Sequence, residues 1–153
     1  MTTDRIERSI ELQASPARVW RALTDHREFG SWFRVHLDQP FAVGTPSTGH
    51  ITYPGYEHIR WDATIVAMEP ERRFAFTWHP AAVERDVDYS GEAQTTVEFT
   101  LAPHAGGTRL TVTETGFEQL PEERRFTALR MNTEGWNAQL DNIAAYLASH
   151  DAQ

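Results

Sequence analysis

Inward-facing aromatics, one inward-facing carboxylate and a scatter of imidazoles are the groups in this chain whose types and spacing suit a site. Trp61, Phe74, Phe76, Trp78 and Phe99 fall in the inward phase of alternating segments, and Trp136 and Leu140 stand four apart on a helical repeat. Ligand sites are lined mainly by apolar and aromatic side chains with a few polar groups among them. Trp61, Phe76, Trp78, Phe99, Trp136 and Leu140 are therefore expected to wall a binding site. Core packing is the commoner use of any single inward aromatic, and it competes with that expectation at each position.

Glu114 is the charged residue that stands out. It shares strand phase with Leu110 and Val112, while Thr111, Thr113 and Thr115 face the other way. A carboxylate pointing inward must be paired, hydrogen-bonded or shifted in pKa. It either orients a ligand or moves its protons, or it closes a structural ion pair. Arg8 is one candidate partner if the first and last strands are neighbours, and the ion pair is the slightly favoured reading.

The histidines at 26, 36, 50, 58, 79, 104 and 150 form neither His-x-His nor His-Glu-x-x-His, so neither a metal nor any other cofactor is expected. His50, His58 and His79 lie at strand positions from which an imidazole reaches a cavity mouth. Phosphate loops, dinucleotide fingerprints and Gly-x-Ser-x-Gly elbows are absent from the sequence. None of the serines has a base placed beside it by the strand pattern, and with no cysteine the chain has no thiol nucleophile, disulfide or thiolate metal site. Covalent catalysis is not expected. Gly135 interrupts a helical segment at a cost of about 1 kcal/mol relative to alanine. Close packing of the helix on a neighbour is the expected compensation, ahead of a kink beside Trp136.

The elements that must position these groups are legible from periodicity. Residues 6–12 alternate as a half-buried strand, broken in phase only by Arg8. Ser15-Pro16 is a helix start, and Asp25 with Glu28 resembles a capping box for a second short helix carrying Phe29, Trp32 and Phe33. Strands are predicted over 35–39, 48–53, 58–68, 73–79, 92–102 and 108–116. The 40–46 connection has room for a short strand, the turn at Glu69-Pro70-Glu71-Arg72 suits type I, and 80–91 reads as a polar loop. From Pro121 to His150 runs one long helix whose Phe126, Leu129, Trp136, Leu140, Ile143 and Leu147 recur at mostly three- and four-residue spacings. At roughly 45 Å it would cross the whole sheet. The fold class is α+β: a curved antiparallel sheet of six to seven strands around a long C-terminal helix, with two short helices after the first strand. Hairpin-length connections exclude a parallel βαβ fold, and the early helix pair excludes a lipocalin-type barrel.

With 40% hydrophobic residues, 153 residues suit a single domain over 1–153. The formal charge of -8 argues against a nucleic-acid or anionic-membrane partner. No apolar run reaches the ~18 residues of a membrane span and no signal segment opens the chain, so a cytoplasmic protein is expected.

Several segments also resemble a family. Ala14-Ser-Pro-Ala-Arg-Val-Trp-Arg-Ala-Leu-Thr24 with Trp32-Phe33, then Pro54-Gly55, Arg60-Trp61, Glu69-Pro70 with Phe76-Thr77-Trp78, Gly107-Thr108-Arg109-Leu110, Glu114-Thr115-Gly116-Phe117 and Gly135-Trp136 follow one another as in the activator-of-heat-shock-ATPase homologue branch of the START-like superfamily. The resemblance implies a helix-grip fold with a hydrophobic cavity beneath the long helix. It implies a small hydrophobic or aromatic molecule as partner, bound by the residues above with Glu114 or a nearby histidine at its polar end. A polyketide cyclase or dehydratase activity and a stress-related co-chaperone role are the alternatives the superfamily offers. The branch takes its name from a co-chaperone whose preceding chaperone-binding domain is not expected within this length, which leaves a chaperone partner little support. Oligomeric state is open at this stage.

Overall fold

A computed structural model of the chain describes residues 5–80 and 88–150. Its order is β1 (Arg5–Leu12), α1 (Pro16–Thr24), α2 (His26–Phe33), β2 (Val35–Leu37), β3 (Pro46–Ile51), β4 (Arg60–Glu69), β5 (Arg73–Trp78), β6 (Thr95–His104), β7 (Gly107–Thr115), a 3-10 turn at Phe117–Gln119 and α3 (Glu122–His150). The strands form one antiparallel sheet in the order β1-β7-β6-β5-β4-β3-β2. Meander hairpins account for every neighbour but one: β1 pairs with β7, Ile6 opposite Glu114 and Arg8 opposite Val112. The curved sheet, long helix and early helix pair are those expected from the sequence.

Local chemistry sets the element ends. Ser15 accepts the Arg18 N–H at 3.2 Å with Pro16 in the first turn, so the missing proline donor costs α1 nothing. Asp25 accepts the N–H groups of Arg27 and Glu28 at 2.9 and 3.2 Å and caps α2. Glu28 does not complete the capping box, because Arg18 (2.7 Å), Arg21 (2.8 Å) and the Tyr146 hydroxyl (2.8 Å) all donate to it. One carboxylate thereby ties α1, α2 and the end of α3 together.

Three local expectations are corrected. The 40–45 connection holds a turn rather than a strand, with Gly44 at φ 79° donating to the Ile65 carbonyl at 2.7 Å. The β4–β5 turn is closed by Arg72 N–H to Glu69 O at 2.9 Å, but Glu71 at φ 62° takes the left-handed conformation of a type II turn, not type I. Phe126 is 66% exposed. At about 100° per residue it sits about 80° around α3 from Trp136, at the margin of the stripe that buries Leu140, Ile143 and Leu147. Residues 81–87 of the expected polar loop lie outside the described part. Among the described residues no helix is long and apolar enough to cross a membrane.

The space between α3 and the sheet is filled largely by rings. Phe29 meets Trp32, Phe33, Phe41 and Trp61 at 4.9–5.6 Å between centroids, Trp61 continues to Phe76 and Trp78, and Phe99 to Phe74, Phe76 and Trp136. Such edge-to-face and offset pairs hold a core in one arrangement.

The Glu28 cluster carries a pH signature. Burial pushes this carboxyl up, but hydrogen bonds from Tyr146 and Arg18 and the nearby Arg18 charge outweigh it and hold the group below its ordinary range. A depressed folded-state pKa contributes stability above the unfolded value of about 4.3, and that contribution is lost as pH falls through the folded value. Glu28→Gln should therefore lower the melting temperature at pH 7, and thermal scans should show the gap narrowing below about pH 4. A gap undiminished at pH 3 would contradict the ion-pair account.

Candidate ligand recess

Glu114 lies on β7 with no exposed surface. Arg8 is not its partner: Arg8 donates to Asn137 at 3.2 Å and to the Glu7 carbonyl at 2.8 Å. Four neutral donors converge on the carboxylate instead. Trp136 Nε1 reaches Oε1 at 2.8 Å, and Trp78 Nε1 reaches Oε2 at 2.8 Å. The Thr95 hydroxyl meets Oε2 at 2.5 Å, and the Asn132 amide spans both oxygens at 3.0 and 3.1 Å. Helical phase explains the outcome for Arg8. Asn137 lies about 100° around α3 from Trp136 on one flank, while Asn132, Gly135 and Gln139 lie on the other.

On that second flank a recess of about 90 Å³, partly open to solvent, is lined by Phe33, Trp78, Asn132, Gly135, Trp136 and Gln139. Phe33 is the last residue of α2, Trp78 the last of β5, and the rest come from the middle of α3. Gln139 donates to the Phe33 carbonyl at 3.1 Å, joining α3 to the end of α2, where Arg34 at φ 69° turns the chain away. Trp78 and Trp136 are 5.8 Å apart between centroids with planes 31° apart, and Phe33 stands edge-on to both at 6.4 and 6.1 Å. A Cβ on Gly135 would meet nothing within 4 Å. The close packing expected of this glycine is therefore absent; it borders open space.

The site residues expected from the sequence divide into three groups. Trp78 and Trp136 line the recess. Glu114 sits behind them as the acceptor that fixes both indoles. Trp61, Phe76, Phe99 and Leu140 are buried in the core, with the Trp61 N–H held by the Ser47 hydroxyl at 2.9 Å. Phe33, Asn132 and Gln139 line the recess although sequence reasoning had not placed them there. A signal for two of them existed: 132, 136 and 139 form one i, i+4, i+7 stripe, and polar residues on an otherwise apolar helix flank ask for a purpose. Of the histidines, His36 and His50 face each other across β2 and β3 with ring centroids 5.3 Å apart. Among the described residues no group of three or more His, Asp or Glu side chains is placed to hold a metal ion.

The family model described as "Activator of Hsp90 ATPase homolog 1-like protein" matches residues 13–148. A crystal structure of a Mesorhizobium loti protein, 26% identical, superposes with a TM-score of 0.74 over 95% of this chain and 97% of that one. One from Nitrosomonas europaea, 20% identical, gives 0.74 over 100% and 99%. DynU16, a protein in the dynemicin biosynthetic locus, is 23% identical with a TM-score of 0.75, covering 96% of this chain but 48% of its own. At 20% and 23% identity the likeness is one of fold. No curated protein matches the chain.

Three substitutions separate structural from open positions. Glu114→Leu would strand four donors at about 1–3 kcal/mol each, so urea denaturation should show a loss of at least about 3 kcal/mol. Arg8→Ala should cost within about 0.5 kcal/mol by the same measurement, as exposed substitutions usually do. Gly135→Ala should stabilise the protein by up to about 1 kcal/mol, because it gains helix propensity and meets no neighbour. A lowered melting temperature in Gly135→Ala would mean that the space is not free.

Proposed function

This chain belongs to the Activator of Hsp90 ATPase homolog 1-like family, and from that premise we propose that it binds a small apolar or aromatic molecule in the recess beside α3. The observation that carries this reading is the preorganised wall of Phe33, Trp78 and Trp136. Both indoles are clamped by their N–H groups to one buried carboxylate, so their carbon surfaces stand ready without further ordering. Binding to a fixed wall avoids the entropy of freezing side chains when the ligand arrives. The recess holds about 90 Å³, well below the about 300 to 1,000 Å³ of pockets that enclose a drug-sized ligand, so it takes a ring-sized group and leaves the rest of a ligand in its open mouth. Aromatic packing of Trp61, Phe76 and Phe99 fills the space deeper under the helix, which suits a compact ligand of one or two rings better than a long lipid chain. Glu114 has no exposed surface, so Asn132 rather than the carboxylate meets the ligand. That arrangement favours binding over proton transfer. The chain works in this reading as one domain over 1–153, in the cytoplasm.

Native mass spectrometry of freshly purified protein, set against the denatured mass, should show a reproducible excess mass of small-molecule size. In titrations with indole or naphthalene, tryptophan fluorescence should change saturably, and Gly135→Leu, which fills the recess, should weaken binding about tenfold or more without unfolding the protein. Binding that survives Gly135→Leu unchanged would refute the site. A clean apo mass together with no saturable response would refute the function.

A further inference from the structure

The recess has a polarity, and it follows from what Glu114 accepts. A carboxylate facing donors on both oxygens forces the Asn132 amide to turn its NH2 inward, because the carbonyl end has nothing to give. The Asn132 Oδ1 is the atom left over: among the described residues nothing donates to it, and since it is not a buried atom without a partner, it is open to solvent. Of the other polar side-chain groups in the recess, only one N–H of the Gln139 amide is left without a partner among the described residues. Trp78 and Trp136 donate their N–H to Glu114, and Gln139 donates to the Phe33 carbonyl while its Oε1 accepts from Asn142 at 3.1 Å. A ligand therefore meets three aromatic rings, one acceptor open to solvent and one remaining amide N–H of Gln139, with a buried carboxylate behind them. None of the six lining residues is cationic, and the sequence contains no lysine whose own ammonium could occupy such a place.

We propose that the recess selects the protonated amine of a small free ligand bearing alkyl or aryl substituents. The ammonium N–H donates to Asn132 Oδ1, and the substituents lie on Phe33, Trp78 and Trp136, whose π faces attract the positive charge. The net charge of -8 draws such a ligand in. This rests on the ligand-binding reading above and adds the sign of the ligand's charge.

A matched pair of probes tests it: benzyldimethylamine, protonated at pH 7, and isobutylbenzene, its neutral isostere, each titrated against the full chain by tryptophan fluorescence. The cation should bind about tenfold tighter. Asn132→Leu should remove most of that preference while isobutylbenzene binding holds or improves, and Gly135→Leu should weaken both. Equal or weaker binding of the cation overturns the inference, and the wild-type comparison decides this even if Asn132→Leu fails to fold. Binding of isobutylbenzene alone leaves the ligand-binding reading standing without the inference. Binding of neither probe overturns both, and cation binding indifferent to Asn132→Leu and Gly135→Leu places the cation elsewhere and overturns the inference too.

Discussion

Burying a carboxylate away from water is costly unless every lone pair finds a donor, and this constraint organises the middle of the molecule. Glu114 on β7 is satisfied only when Trp78 at the end of β5, Thr95 at the start of β6, and Asn132 and Trp136 on α3 all arrive together. Three adjacent strands and the long helix thus share one point of reference. An apolar contact tolerates sliding by a fraction of an ångström, whereas a set of converging hydrogen bonds does not. The helix is fixed both along its axis and around it, which the aromatic packing alone would not achieve. A second carboxylate, Glu28, does the same for the far end of α3 through the Tyr146 hydroxyl, with two arginines as its other partners.

The division between core and recess follows from that fixed helix. Rings deeper in the sheet pack on one another until little space remains, and the recess appears on the flank where α3 passes the end of α2. There the side chains thin out to an amide, a glycine and a second amide at 132, 135 and 139. The polar edges of both indoles are turned inward, so the surface offered to a ligand consists of ring carbon.

Much of this was legible in the sequence, and what was not has a physical reason. Alternation marked the strands along the chain and placed Glu114 inward, because a period of two assigns faces without reference to any neighbour. The partner of Glu114 was not legible. Periodicity places a side chain on a face but says nothing of which flank of a distant helix comes to rest above it, so Arg8, in phase and of opposite sign, stood in for donors 18 and 22 residues further along the chain. The same blindness grouped Trp61, Phe76 and Phe99 with Trp78 and Trp136, since filled and open space under a helix share one hydrophobic pattern. Phe126 shows a limit of spacing itself: intervals of three and four drift around a helix until a member at the end of the series leaves the stripe.

Gly135 gives the molecule a degree of freedom that core residues lack. Nearly every other apolar position under α3 is held by its neighbours, so a change of size there disturbs the fold before it changes what the protein recognises. The glycine stands on a rigid helix beside vacant volume, and glycine codons lie a single nucleotide from those of alanine and valine. Lineages of this protein can thus resize the site by point mutation at one codon, a route to new ligand preference that need not pass through unstable intermediates.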